Sequence, residues 1–271
     1  MDTHRLSSLC IPVVILAAIL ITPYRGVAQE SGHDAAPAHL SLAEIVNNMT
    51  LRNAERANAL RHYQGTREYQ VVYKGFYGNI HAEMVVTVTY DAPATEEFTV
   101  VSQSGSKWMI NHVLKRLLKT EQESIEDQNR AGIQVTSANY DFTLLGTQES
   151  SDGCPYVLGV QPKVPTKFLF RGRIWVDAKD FAVCRIEAEP AKNPSFWIRK
   201  TEIHHSFMKL GGFWVPTENR STSDIRLNGR ATLTIKYEDY KFPETSSVEA
   251  DETGSSTSKR HKKMNAAIRQ E

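Results

Sequence analysis

Between residues 156 and 240, strand-like segments follow one another with no helix between them. In order they read YVLGVQPK, KFLFRGRIWVDAKDFAVCRIEAEP, SFWIRKTEIHHSFMKLGGFWVPT and ATLTIKYEDYKF. Each is rich in Val, Ile, Phe, Tyr, Trp and Thr, which suit a pleated surface, and each is bounded by Gly, Pro, Asp or Asn. Strands joined directly pair antiparallel, and a long meander curls into a cupped surface or barrel.

Upstream of the meander the pattern alternates between helix and strand. Ser41 to Glu44 form a capping box, with Leu40 and Ile45 spaced as a hydrophobic staple. This predicts a helix to about Leu60, with Leu42, Val46, Met49, Ala57 and Leu60 on its apolar side. Strands follow at Arg67–Lys74, Asn79–Tyr90 and Glu97–Gln103. The second alternates most regularly: Ile80, Ala82, Met84, Val86, Val88 and Tyr90 share one face. A second amphipathic helix spans about Lys107–Ser124, and a strand at Tyr140–Thr147 leads into the meander.

The termini read differently. Arg5 precedes an apolar run from Leu9 to Ile21, and Gly26-Val27-Ala28 offers small residues for cleavage. That run is too short to span a bilayer, so it reads as a cleavable signal peptide over residues 1–28, and the chain is expected to be exported. Residues 29–39 read as a flexible leader. From Glu244 onward apolar residues are sparse and without period, which predicts a disordered tail over 244–271. One domain over 40–243 remains. The whole chain has Lys plus Arg 32 against Asp plus Glu 31, and removing residues 1–28 leaves 30 of each. A neutral surface offers no overall attraction to nucleic acid. The tail run Lys259-Arg260-His261-Lys262-Lys263 reads as solvated.

Cys154 and Cys184 face an oxidising compartment. They sit at the starts of two strands with a third between, and next-but-one strands lie about 9–10 Å apart. That exceeds ordinary disulfide reach, so the spacing argues against a bond and leaves the pairing open, and Cys184, alternating with Ile186 and Ala188, fits a plain buried thiol.

Catalytic and metal signatures are sparse. No H-E-x-x-H, C-x-x-C, G-x-S-x-G or phosphate-binding glycine loop occurs. Ser104-Gly105-Ser106-Lys107 matches S-x-x-K without its partner motifs and reads as a strand-to-helix turn. His204 and His205 are adjacent in a strand, so they point to opposite faces and do not share a metal. The expectation is a binding protein, not an enzyme, with no cofactor. Its site would be an apolar cavity inside the curved sheet, because an incomplete barrel encloses more room than its side chains fill. The candidate lining is Tyr69, Val71, Met84, Val86, Val88, Phe98, Val100, Leu114, Leu117, Phe142 and Leu144, and periodicity alone does not separate such a cavity from a packed core.

Several runs carry a family resemblance: Pro162-Lys163, RIWVD-x-x-D from Arg173 to Asp180, GFWVPT from Gly212 to Thr217, and TLTIKYEDY at 232–240. Together they resemble the C-terminal half of LolA-like outer-membrane lipoprotein-sorting proteins, and helix, strands, helix, meander is the order of that family. The resemblance implies an α+β fold: a curved antiparallel sheet forming a half-open β-barrel covered by α-helices. It also implies a periplasmic carrier of lipids or lipoprotein acyl chains. In LolA a strand arginine holds the helical lid closed, and Arg67 and Arg173 both qualify for that position. RseB-like envelope-stress sensors share the architecture and imply an alternative, a module that binds an envelope membrane protein. A secreted serine hydrolase using Ser104 or Ser106 is a more distant reading.

Overall fold

The computed structural model describes residues 40–243 except 77, 93–94, 126–130, 149–152, 194 and 227. The signal peptide, leader and tail inferred from the sequence lie outside the described residues. Ten antiparallel strands form one sheet: β1 His62–Gly75, β2 Gly78–Asp91, β3 Thr95–Gly105, β4 Tyr140–Thr147, β5 Tyr156–Pro162, β6 Phe170–Val176, β7 Val183–Pro190, β8 Ile198–Leu210, β9 Phe213–Ile225 and β10 Gly229–Lys241. Their order is β3-β2-β1-β10-β9-β8-β7-β6-β5-β4. Every neighbour in the list is consecutive in sequence except β1 and β10, which pair from Gln64↔Lys241 to Gly75↔Gly229. β3 and β4 are the two edges and do not pair with each other, so the barrel is half-open, as the resemblance implies.

Helix α1, Leu42–Ala59, begins with the capping box read from the sequence. Ser41 Oγ accepts from the Glu44 amide, and Glu44 accepts from the Ser41 amide at 2.8 Å. Two orphan amides of the first turn are satisfied in this way. The segment 107–125 is less regular. A turn of helix α2, Lys107–Met109, runs into a π-helical turn, Ile110–Leu114, and then into α3, Lys115–Ile125. The added residue of the π turn re-aims the stripe that follows.

Two apolar cores lie on the same face of the sheet. In one, Ile45, Val46 and Met49 of α1 pack on Tyr140, Leu158, Val160, Phe170, Ile174 and Ile186 from β4–β7. In the other, Met109, Ile110, Leu114, Leu117 and Leu118 pack on Tyr69, Val71, Ala82, Met84, Val86 and Val88 from β1 and β2, with Ile235 of β10. Alternation supplies these partners, because residues two apart on a strand share a face.

The cysteines correct the sequence reading: Cys154 and Cys184 form a disulfide, with their Cα atoms 6.5 Å apart. The strands are arranged as expected, with β6 between β5 and β7. Cys154, however, precedes β5 and lies beyond the end of β6. There the Ala178 amide donates to the Gly153 carbonyl and the Asp177 amide to the Ala182 carbonyl. The lead-in to β5 thus crosses over the end of the intervening strand and meets the start of β7. The inter-strand spacing that argued against a bond does not apply past a strand terminus. Trp175 covers the bridge on the face opposite the two main cores.

Candidate functional site

One row of residues crosses the concave face from strand to strand. Paired in register, it runs Met84, Tyr69, Ile235, Asn219, His205, Ile186, Ile174, Leu158. All eight are buried. The helical segment 107–125 covers its first part and α1 its last, and the polar pair Asn219 and His205 sits between.

Of the candidate lining residues, Tyr69, Val71, Met84, Val86, Val88, Leu114 and Leu117 come together in a single packed cluster. Phe98 packs at its margin, and Phe142 packs against the other cluster. Val100 and Leu144 lie 39 % and 37 % exposed. Both pair with inward-facing residues, Val86 and Leu158, but they belong to the edge strands β3 and β4, which have no neighbouring strand on one side. With the helix seated, Met109, Ile110 and Leu118 of the helical segment pack into the same cluster.

The seat is pinned by charge. Arg67 shares its strand face with Tyr69 and Val71 and is 7 % exposed. Its Nη1 donates to Glu121 Oε2 of α3 at 2.8 Å, and its Nη2 donates to Glu96 Oε1 of β3 at 2.7 Å. Tyr69 Oη also donates to Glu121 at 2.8 Å, and Tyr63 Oη to Glu96 at 2.7 Å. The guanidinium lies 5.2 and 5.5 Å from the ring centroids of Phe98 and Tyr237. Two carboxylates share this one cation. Glu121 Oε1 and Glu96 Oε2 are buried with no hydrogen-bond partner. Burial above all pushes the Glu121 carboxyl above the usual carboxylate range, against the pull of Arg67. Arg173, the other arginine the resemblance left open, stays on the surface and pairs with Glu187 at 2.8 Å.

Sequence reasoning did not assemble this network, although each member breaks a pattern. Arg67 is a charge on an apolar strand face, and Glu121 follows Leu117 and Leu118 on the apolar side of its helix. Two such breaks on elements that pack together are a pairing signal.

The histidines point apart, as their adjacency requires: His204 is exposed and His205 buried. Neither ring nitrogen of His205 has a hydrogen-bond partner. Its ring lies 4.3 Å from that of Phe207 and 6.0 Å from that of Tyr237. Burial lowers its pKa to about 3, so it is neutral over the physiological range. Ser106 caps α2, its Oγ accepting from the Met109 amide, and Ser104 lies exposed on edge strand β3. One grouping of metal-ligand residue types occurs among the described residues, Cys154, Asp177 and Cys184, and its two sulfurs are joined to each other.

An open trough of about 800 Å³ lies on the opposite face, over β4–β8. Its walls are ion-paired: Arg171 with Glu189, Arg173 with Glu187 and Lys200 with Glu202, at 3.3, 2.8 and 2.7 Å. Among the described residues no helix is long and apolar enough to cross a membrane.

No family model matches the sequence, and no curated protein matches it. Solved structures are similar in part. A DUF1329 family protein of Desulfovibrio piger is 12 % identical with a TM-score of 0.39, over 75 % of this chain and 94 % of that one. A domain of Vibrio parahaemolyticus described as an outer membrane lipoprotein-sorting protein is 8 % identical with a TM-score of 0.38, over 74 % and 92 %. A LolA superfamily protein of Nitrosomonas europaea is 12 % identical with a TM-score of 0.34, over 75 % and 94 %.

Proposed function

We propose that this chain is an exported binder and carrier of lipids or lipoprotein acyl chains, with its site under the helical segment 107–125. The observation that supports this reading is the way the segment is held. Its apolar side meets a matching apolar sheet face, and one buried arginine ties it down. Lifting the segment would bare a concave surface formed by Tyr69, Val71, Met84, Val86 and Val88. An acyl chain replaces the helix side chains one methylene at a time, at about 0.8 kcal/mol each. Arg67 and Glu121 make the closed state discrete, because the pair is either formed or broken.

Native mass spectrometry of protein purified from its own envelope, followed by lipid extraction, tests the reading. A bound acyl lipid is expected. Lipid-free protein that also fails to bind a fluorescent fatty acid would sink it. A co-purifying membrane protein in place of lipid would favour the RseB-like sensor.

A further inference from the structure

The antiparallel register brings four connections to one end of the sheet. They are the β1–β2 turn, the β5–β6 loop, the β7–β8 loop and the β9–β10 turn. Gly75 pairs with Gly229, Gly229 with Ile225, and Ile225 with Ile198, which aligns three of them; Phe170 pairs with Pro190, which places the fourth.

The three most exposed large hydrophobic side chains among the described residues lie on these connections. Phe76 is 81 % exposed, Phe196 72 % and Val164 69 %. Each stands on a different loop. Isolated exposed hydrophobics are ordinary, but these three stand at the same end of the sheet.

The charge of these four connections is one-sided. Stretches 74–78, 162–169, 190–199 and 225–230 contain Lys74, Lys163, Lys167, Lys192, Arg199, Arg226 and Arg230, and no Asp or Glu. All seven cations are exposed. Arg230 pairs with Asp224, and Lys163 lies 3.9 Å from Asp141, both acids on the strands behind. The opposite end mixes Asp91, Asp177 and Asp180 with Arg61 and Lys179. Since the whole chain is nearly neutral, the asymmetry is one of placement. Cations and aromatic rings also meet directly: Arg226 stands 4.6 Å from the Phe196 ring centroid, and Lys167 4.6 Å from that of Phe168.

We infer that this end of the sheet is a docking rim for an anionic phospholipid bilayer. Aromatic and aliphatic tips enter the headgroup region, and lysines and arginines meet the lipid phosphates beside them. A nucleic acid would engage the cations and leave Phe76, Val164 and Phe196 in water, so the exposed tips favour the membrane. The inference is independent of the acyl-chain site, which lies on the concave face.

Vesicle sedimentation tests it, with phosphatidylcholine alone against phosphatidylcholine mixed with phosphatidylglycerol, at low and at physiological salt. The wild-type protein should bind the anionic vesicles more tightly and weaken with salt. Phe76→Ser with Phe196→Ser should weaken binding about tenfold. Lys163→Glu with Lys167→Glu and Arg226→Glu should weaken it on the order of a hundredfold. The termini are the same in every protein, so the comparison reads the rim alone. Variants that sediment like the wild type would overturn the inference. So would equal wild-type binding to both vesicles, which needs no variant to fold. Loss of heparin binding in the charge variant, with no vesicle binding by the wild type, would overturn it in favour of a polyanion surface. Fluorescent fatty-acid binding should be unchanged in all variants, which separates this result from the carrier reading.

Discussion

Arg67 of β1 and Glu121 of α3 are separated by 54 residues in sequence and meet at 2.8 Å, with side chains 8 % and 2 % exposed. The pair joins the sheet wall to the helix that covers it. Removing one partner of a buried pair costs about 3–5 kcal/mol, because the other charge stays behind unpaired. Arg67→Leu should therefore destabilise the domain by that amount in urea unfolding. Adding Glu121→Gln should recover part of the loss, since it removes one stranded charge. A double variant as unstable as the single would show that the cost lies elsewhere.

Glu121 also sets a pH dependence. Its folded-state pKa is raised, so its contribution to stability is fully present below the ordinary glutamate value and is lost as pH rises through the raised one. Glu121→Gln should remove this fall, so its stability should gain on the wild type's as pH rises above about 4.5. Thermal melts from pH 4 to pH 8 check this. A difference between the two profiles that stays constant over that range would contradict it.

His205 acts in the other direction. Its folded pKa, lowered to about 3, lies below the unfolded value near 6.5, so the unfolded chain takes up the proton first. Stability should fall as pH drops from about 6.5 toward 3, with a limiting slope of about 1.4 kcal/mol per pH unit. His205→Leu should remove that slope and be neutral or stabilising at pH 7, because both ring nitrogens are unpartnered. An unchanged acid slope in the variant would rule out His205 as its source.

The disulfide spans a separation of 30 residues. Loop-closure entropy for that length gives about 3–4 kcal/mol. Cys154→Ser with Cys184→Ser should lose roughly that much, read by urea midpoint under non-reducing conditions. A loss below about 1 kcal/mol would mean that the lead-in to β5 is held without the bond.

Val86 is fully buried under the helical segment. A carboxylate placed there must be expelled or must open its cover. Val86→Glu is expected to leave the sheet intact, to speed hydrogen exchange selectively over 107–125, and to abolish fluorescent fatty-acid binding. Global unfolding would mean that the helix and β2 form one inseparable core. A folded variant with unchanged probe affinity would remove β2 from the site.

Local rules carried most of the fold. The capping box at Ser41 and Glu44 formed as read, β4 matches at both ends, and β2 extends one residue past each of its expected ends. These features depend on neighbours in sequence, which periodicity and cap chemistry report directly. What escaped was set by long-range geometry. The Cys154–Cys184 bond depends on a loop crossing a strand end. The Arg67–Glu121–Glu96 network depends on which helix lands on which strand. The exposure of Val100 and Leu144 depends on their strands being edges. Alternation gives each residue its face and says nothing of what covers that face.

The β1–β10 pairing has a mechanical consequence. It stitches the first strands of the domain to the last, so hydrogen bonds run unbroken from β3 to β4 and the two cores rest on one plate. There is no seam along which the halves can slide. Under the proposed carrier reading, motion that admits a guest then comes from the covers peeling away, with resistance from side chains such as Arg67 and Glu121 while the ladder stays whole.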